Sequence, residues 1–372
     1  MVYERDLNPR KGLIAQLDGL RGLAALIVVV SHYSNETLLW GGVLGKGGGQ
    51  TGVMLFFLLS GFLMAHLHLG EAFTARNVGR YALRRIARVY PLFLIAAALP
   101  PTLLALHFRG GVAMNTVNSY GLYLRQVALI DRGALVFWTI RVELLFYAVF
   151  IAIWLLHRLS LRYLSGAWGT AGALILWLSY LRIEDYDFRI EFFQHVHYFL
   201  FGVLSALAWR RRESFRNAAV SISGLALVAA LPLTYPMVWL HLGHGPIPAS
   251  NLLMASWRSD GVALLLITFF QLLLRDRLWL FGLLASKPFR WLGKVSYSTY
   301  LLHYFVLSAL LSWIPPAAGN LVRFTSCIVV VLIVSGLSHR WVEKPLQNLV
   351  LRLPELLRSS GLRKPERAQA AA

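Results

Sequence analysis

Charge is scarce in this sequence. Of its 372 residues 14% are charged and 57% hydrophobic, whereas a soluble domain carries about 25% charged residues. A water-covered globule is therefore excluded. Acidic residues are the scarcer sign, 17 Asp and Glu against 36 Lys and Arg. Cysteine is nearly absent. Cys327 stands alone, so no intramolecular disulfide exists, and its apolar run makes it a packing residue rather than a nucleophile. There is no His-Glu-x-x-His and no cluster of Cys ligands, so metal chemistry is not expected. The glycine-rich stretch 41–52 lacks the Gly-Lys-Ser/Thr ending of a phosphate loop and reads as an outer turn. No soluble hydrolase-like domain is expected either.

What the chain has is a series of apolar runs near the roughly 20 residues that cross a bilayer. Ten spans are read, at 22–40, 52–69, 89–107, 134–156, 165–181, 190–208, 218–240, 252–274, 296–314 and 320–338. The net charge of +19 by itself suits a nucleic-acid binder, but its distribution decides otherwise. With the N-terminus inside, 27 of the 36 Lys and Arg fall in inner segments, the positive-inside pattern. Basic runs then serve as topology anchors and lipid headgroup contacts, and no nucleic-acid partner is expected. The first apolar run contains His32 and lacks a small-residue cleavage site, so it reads as a retained helix. The expected fold is all-α: a polytopic membrane protein of about ten transmembrane helices, N-in and C-in. Residues 1–346 form one membrane domain and 347–372 a basic cytosolic tail. Amphipathic segments are expected around Tyr120–Ile130 and at Trp341–Arg358 along the inner face, an interfacial helix near Lys287-Pro288, and a disordered end over 359–372.

Ionisable residues inside spans are expensive, about 2.5–3.5 kcal/mol for a charge at a helix centre on insertion scales, so each is a candidate. Arg21 and His32 lie eleven positions apart, three helical turns, and share a face. At 1.5 Å per residue they are about 16 Å apart along the axis. Arg21 is placed at the cytosolic mouth and His32 near mid-membrane, where an imidazole either lines a pathway or bonds a neighbouring helix. Arg85 and Arg88, i,i+3 neighbours at the inner start of span 3, converge on one anion or simply anchor topology. A guanidinium fork suits phosphate. Glu143, within Trp138–Tyr147, is placed at the depth of His32, where a buried carboxylate needs a partner or a proton. It orients the imidazole or is neutralised by Arg141 or another helix. Ser60 beside Gly61, and His303 behind Ser296–Tyr300, are possible cavity residues with packing as the plainer alternative. His195 and His197, two apart, make a poor metal pair.

At these residues the chain resembles the acyltransferase-3 family of bacterial integral membrane O-acyltransferases. The resemblance rests on Gln16–Ala25, on Arg21 and His32 with ten residues between, and on Phe56–Leu63. It continues through Arg85-x-x-Arg88-x-x-Pro91 and Trp138–Tyr147, where Thr139 replaces the usual Ser, to Ser296–His303 and Glu343-Lys344-Pro345. It implies about ten helices and acyl transfer, from acetyl-CoA or another acyl-CoA, to a hydroxyl of a cell-surface or lipid-linked carbohydrate. The place implied is the bacterial inner membrane. No cofactor is held permanently, since the acyl-CoA is consumed as donor substrate. Its phosphates are expected at Arg21, Arg85 and Arg88, its arm rising towards His32. His32 acts as base or is transiently acylated, with Glu143 in support. A transporter or flippase for an envelope glycan is the alternative, since it too needs intramembrane charge.

Overall fold

The computed structural model describes residues 11–105, 120–130, 135–163, 191–210, 257, 259–274 and 279–361. Among them there is helix and turn and no strand. Helix α1 (Lys11–Thr37) begins eleven residues before the first span read at 22–40. It ends where Leu38 takes a left-handed φ of 52° ahead of a short 3-10 turn, Leu39–Gly42. The glycine stretch then folds back, Gly49 N–H donating to Ser31 Oγ at 2.8 Å, and α2 (Gly49–His68) starts there. Helix α3 (Ala75–Ala105) follows, then the short α4 (Tyr120–Val127) at the expected amphipathic segment. The remaining helices are α5 (Trp138–Tyr163), α6 (Glu191–Arg210), α7 (Asp260–Leu274), α8 (Trp279–Leu284), α9 (Lys287–Trp313), α10 (Asn320–Ser338) and α11 (Lys344–Gly361).

Two of these elements differ from expectation. Lys287-Pro288 opens α9 itself, nine residues before the span read at 296, with Pro in the first turn after Ser286, where its missing N–H costs nothing; the basic stretch 275–295 does hold a short helix, α8. The last span does not stop at Ser338 either. A single π turn, His339–Glu343, carries it straight into α11. Among the described residues four helical stretches are long and apolar enough to cross a membrane: Gly49–His68, Ala75–Leu103, Trp138–Leu159 and Asn320–Pro354. Leu204, Leu264, Leu321 and Ile333 are each more than half exposed on the outside of the bundle, a surface that suits lipid rather than water. This is a multi-pass membrane protein.

Contacts between helices fix their directions. Gly22 meets Leu292 near one end of α1 and His32 meets His303 near the other, so α1 and α9 run parallel. Phe57 meets Trp138 and His195, Ser60 meets Glu143, and Phe62 meets Trp209 and Phe270. Helices α2, α5, α6 and α7 therefore share the opposite direction. Tyr81 packs on Phe150 and Phe93 on Phe137, which sets α3 against α5. Gly336 against Trp291 and Phe324 against Tyr33 set α10 against both α1 and α9. These directions match the alternation read for spans 1, 3 and 9 on one side and 2, 4, 6, 8 and 10 on the other. Spans 5 and 7, at 165–181 and 218–240, lie outside the described residues, as does the tail beyond 361.

Two glycines let one helix pair touch backbone to backbone. A Cβ on Gly61 would collide with the Phe199 carbonyl, and one on Gly202 with the Leu58 carbonyl, so α2 and α6 close only because both positions lack one.

Candidate functional site

The polar residues singled out in the sequence separate into two levels. At the lower level one cavity is lined by Arg21, Ser60, Arg85, Arg88, Glu143 and Tyr147, with Tyr297 and Tyr300 on α9 and Phe56 on α2. Five helices thus bring their polar residues to one space. Glu143 accepts hydrogen bonds from Ser60 Oγ at 3.1 Å and from the Tyr147 hydroxyl. Arg85 lies over the Tyr147 ring, 5.7 Å from its centroid, and its buried Nε has no hydrogen-bond partner among the described residues. Arg21 faces Asp18 at 3.7 Å.

Arg88 has a partner that the sequence did not assign. Its guanidinium is bonded to Glu343, a carboxylate 3% exposed on the π turn. Glu343 also accepts from Ser298 Oγ at 2.7 Å and lies 3.2 Å from His339 Nδ1. Arg88 is thereby held at the cavity by a residue 255 positions away. Its ring neighbour is Tyr297, at 5.5 Å, whose hydroxyl donates to the Val89 carbonyl at 2.7 Å. Tyr300 is anchored through Thr139 Oγ1 at 2.9 Å and the Val136 carbonyl at 3.2 Å. The polar run Ser296–Tyr300 is therefore mostly a set of fasteners between α9, α3, α5 and the π turn.

His32 and His303 lie at the second level and do not line this cavity. Their rings meet edge to face at a centroid distance of 5.0 Å, and His32 also meets Tyr304 at 5.2 Å. The Tyr304 hydroxyl donates to Glu36 Oε1 at 2.9 Å at the exposed end of α1. The expected pairing of Glu143 with His32 is not made. Ser31 is level with Gly49, whereas Glu143 is level with Ser60. Those two positions are eleven residues apart along α2, about 16 Å. The displacement has a simple cause. Helix α5 starts only at Trp138, already level with Phe57, so Glu143 lies deeper than a count from residue 134 places it.

Toward its upper end the cavity closes with Phe56 and Tyr300, whose rings meet at 5.7 Å. Tyr300 lies one turn below His303 on α9. At the lower level three guanidiniums and one hydrogen-bonded carboxylate line the same cavity, and donors of this shape match phosphate. The upper level offers imidazoles in apolar surroundings.

A profile of the acyltransferase domain family matches residues 14–340. The chain belongs to the acyltransferase-3 family. Among curated relatives of this acyltransferase-3 chain, the peptidoglycan O-acetyltransferase OatA of Listeria monocytogenes is 23% identical over 373 residues, covering 90% of this chain and 56% of its own length. The O-acetyltransferase OatA of Staphylococcus aureus is 24% identical over 377 residues, covering 93% of this chain and 58% of its own. A putative O-acetyltransferase of the same species is 22% identical over 361 residues, covering 90% and 57%. The chain spans a little over half the length of these relatives. No solved structure matches it significantly.

Proposed function

We propose that this membrane acyltransferase moves an acetyl group from acetyl-CoA to a hydroxyl of a cell-wall carbohydrate, in the plasma membrane and with both termini in the cytosol. One observation carries the reading. A cavity built by five helices collects Arg21, Arg85 and Arg88 below a level where His32 stands on the same helix as Arg21. Donor phosphates bind the guanidiniums, and Arg85, whose Nε lacks a partner among the described residues, is the first to engage. The pantetheine arm extends along α1 past Phe56 and Tyr300 to His32. There the acceptor hydroxyl loses its proton to the imidazole as its oxygen attacks the thioester carbonyl. Apolar walls keep water from the thioester. Glu143, bonded by Ser60 and Tyr147, sets the charge of the donor pocket rather than the tautomer of His32. The acceptor class follows from the relatives, two named as OatA and one as peptidoglycan O-acetyltransferase.

The test uses the full chain in liposomes with acetyl-CoA and peptidoglycan fragments, read by mass spectrometry of the glycan. An acetyl ester that forms with wild type and not with His32→Ala is the expected result. Passage of the glycan across the liposome without covalent change would replace the enzyme with a transporter. Near-normal turnover in His32→Gln, which hydrogen-bonds but cannot take up a proton, would remove the base from His32.

A further inference from the structure

His303 is completely buried, and its Nδ1 faces two backbone carbonyls of its own helix, Tyr300 at 2.8 Å and Thr299 at 3.1 Å. Carbonyl oxygens only accept, so Nδ1 carries the proton and a neutral His303 has its lone pair on Nε2. That Nε2 is buried without a partner among the described residues, and so is Nδ1 of His32. The two unpartnered nitrogens belong to rings in direct edge contact, 5.0 Å between centroids. A histidine with only a packing role would have no reason to fix one nitrogen twice and leave the other bare against a second imidazole.

The geometry points to His303 as the positioning residue of His32: its Nε2 accepts the Nδ1–H of His32, which holds the lone pair of His32 on Nε2. In the structure the rings touch with both nitrogens unpartnered among the described residues. The inference rests on the acyl-transfer reading above and supplies the partner that Glu143, at the lower level, does not provide. In the reaction the acceptor O–H proton passes to His32 Nε2 while the hydroxyl oxygen bonds the thioester carbonyl carbon. The carbon–sulfur bond then breaks, and the proton moves from His32 to the leaving thiolate, giving ester and free thiol. The second imidazole accepts a hydrogen bond from the cationic His32 throughout. Tyr304, the other ring against His32, offers only its ring face or edge, because its hydroxyl is turned to Glu36.

The experiment has two arms, both in the full chain in liposomes. In the first, acetyl transfer is measured for wild type, His303→Leu and His303→Gln, with acetyl-CoA binding measured separately. His303→Leu removes the acceptor atom, and kcat should fall roughly 10- to 100-fold, as for outer partners of metal-binding histidines. The KM and Kd for acetyl-CoA should stay near wild type. His303→Gln places an amide oxygen near the Nε2 position and should recover much of that loss. Wild-type kcat in His303→Leu, or equal losses in both variants with weakened donor binding, overturns the inference. In the second arm, nitrogen NMR of histidine-labelled wild type reads the His32 tautomer, which needs no variant to fold. A proton on Nδ1 is expected; a proton on Nε2 overturns the inference. Failure of wild type to form any acetyl ester instead overturns the proposed function, while the NMR result still judges the histidine pair.

Discussion

A carboxylate that accepts from a serine and a tyrosine has its charge spread over two donors, and Glu143 is in that position. Hydrogen bonds to charged groups contribute about 1.5–3 kcal/mol each. Tyr147→Phe keeps the ring beneath Arg85 and removes one of those donors, so a loss near the lower end of that range is expected in detergent unfolding, with weaker acetyl-CoA binding. Arg88→Lys tests the fork directly. Lysine keeps a charge for Glu343 but loses bidentate geometry, so donor affinity should drop while the fold holds. Unchanged affinity in both Arg85→Ala and Arg88→Ala would reduce the cluster to a topology anchor. At this scale the sequence was informative but incomplete. Arg21, Arg85, Arg88, Ser60 and Glu143 line one cavity, although the sequence reading places Glu143 with His32. The partner of Arg88 was not legible, because Glu343 lies 255 residues away and nothing local ties the two together. Tyr147 and Tyr297 were given no role of their own, although each uses its hydroxyl inside the bundle.

Between helices, backbone contact decides more than side-chain volume. Gly61 and Gly202 hold α2 on α6, and a methyl group at Gly61 has only the Phe199 carbonyl to move against. Gly61→Ala is expected to cost at least the 1–3 kcal/mol typical of overpacking, read as a lower Tm in detergent and a lower yield of folded protein. The π turn at His339–Glu343 does comparable work at the other end of the molecule. It turns Glu343 inward to Arg88 and Ser298 and carries α11 on against α3. Sequence periodicity located most helices but missed this join. Ser338 looked like the end of a span because the residues after it are basic and punctuated by proline, yet a π turn continues the hydrogen-bonded helix through them. The depth error at Glu143 has a related origin. Hydropathy marks where a run becomes apolar, not the level at which the helix begins.

Across the whole molecule, α5 and α6 are consecutive described helices that run parallel, so Tyr163 and Glu191 lie at opposite ends of the bundle. Single cysteines at Arg158 and Glu191, in a Cys327→Ser background, should therefore react with impermeant reagents from opposite sides. The positive-inside reading assigns Arg158 to the cytosol and Glu191 to the outside, and labelling of both from one side would break that topology. The same two-sided architecture gives the ring pair of Phe56 and Tyr300 a further role. A charged cavity below, with buried His303 against His32 above, is most of a channel. What separates the two levels is this aromatic contact of 5.7 Å and the turn of α9 beneath His303. On the proposed reaction, such an enzyme admits a thioester arm without letting protons cross beside it. Tyr300→Ala should make proteoliposomes leak protons, seen as faster collapse of an imposed pH gradient, even with no donor or acceptor present. Acetyl-CoA, by threading its arm through the gap, should slow that leak.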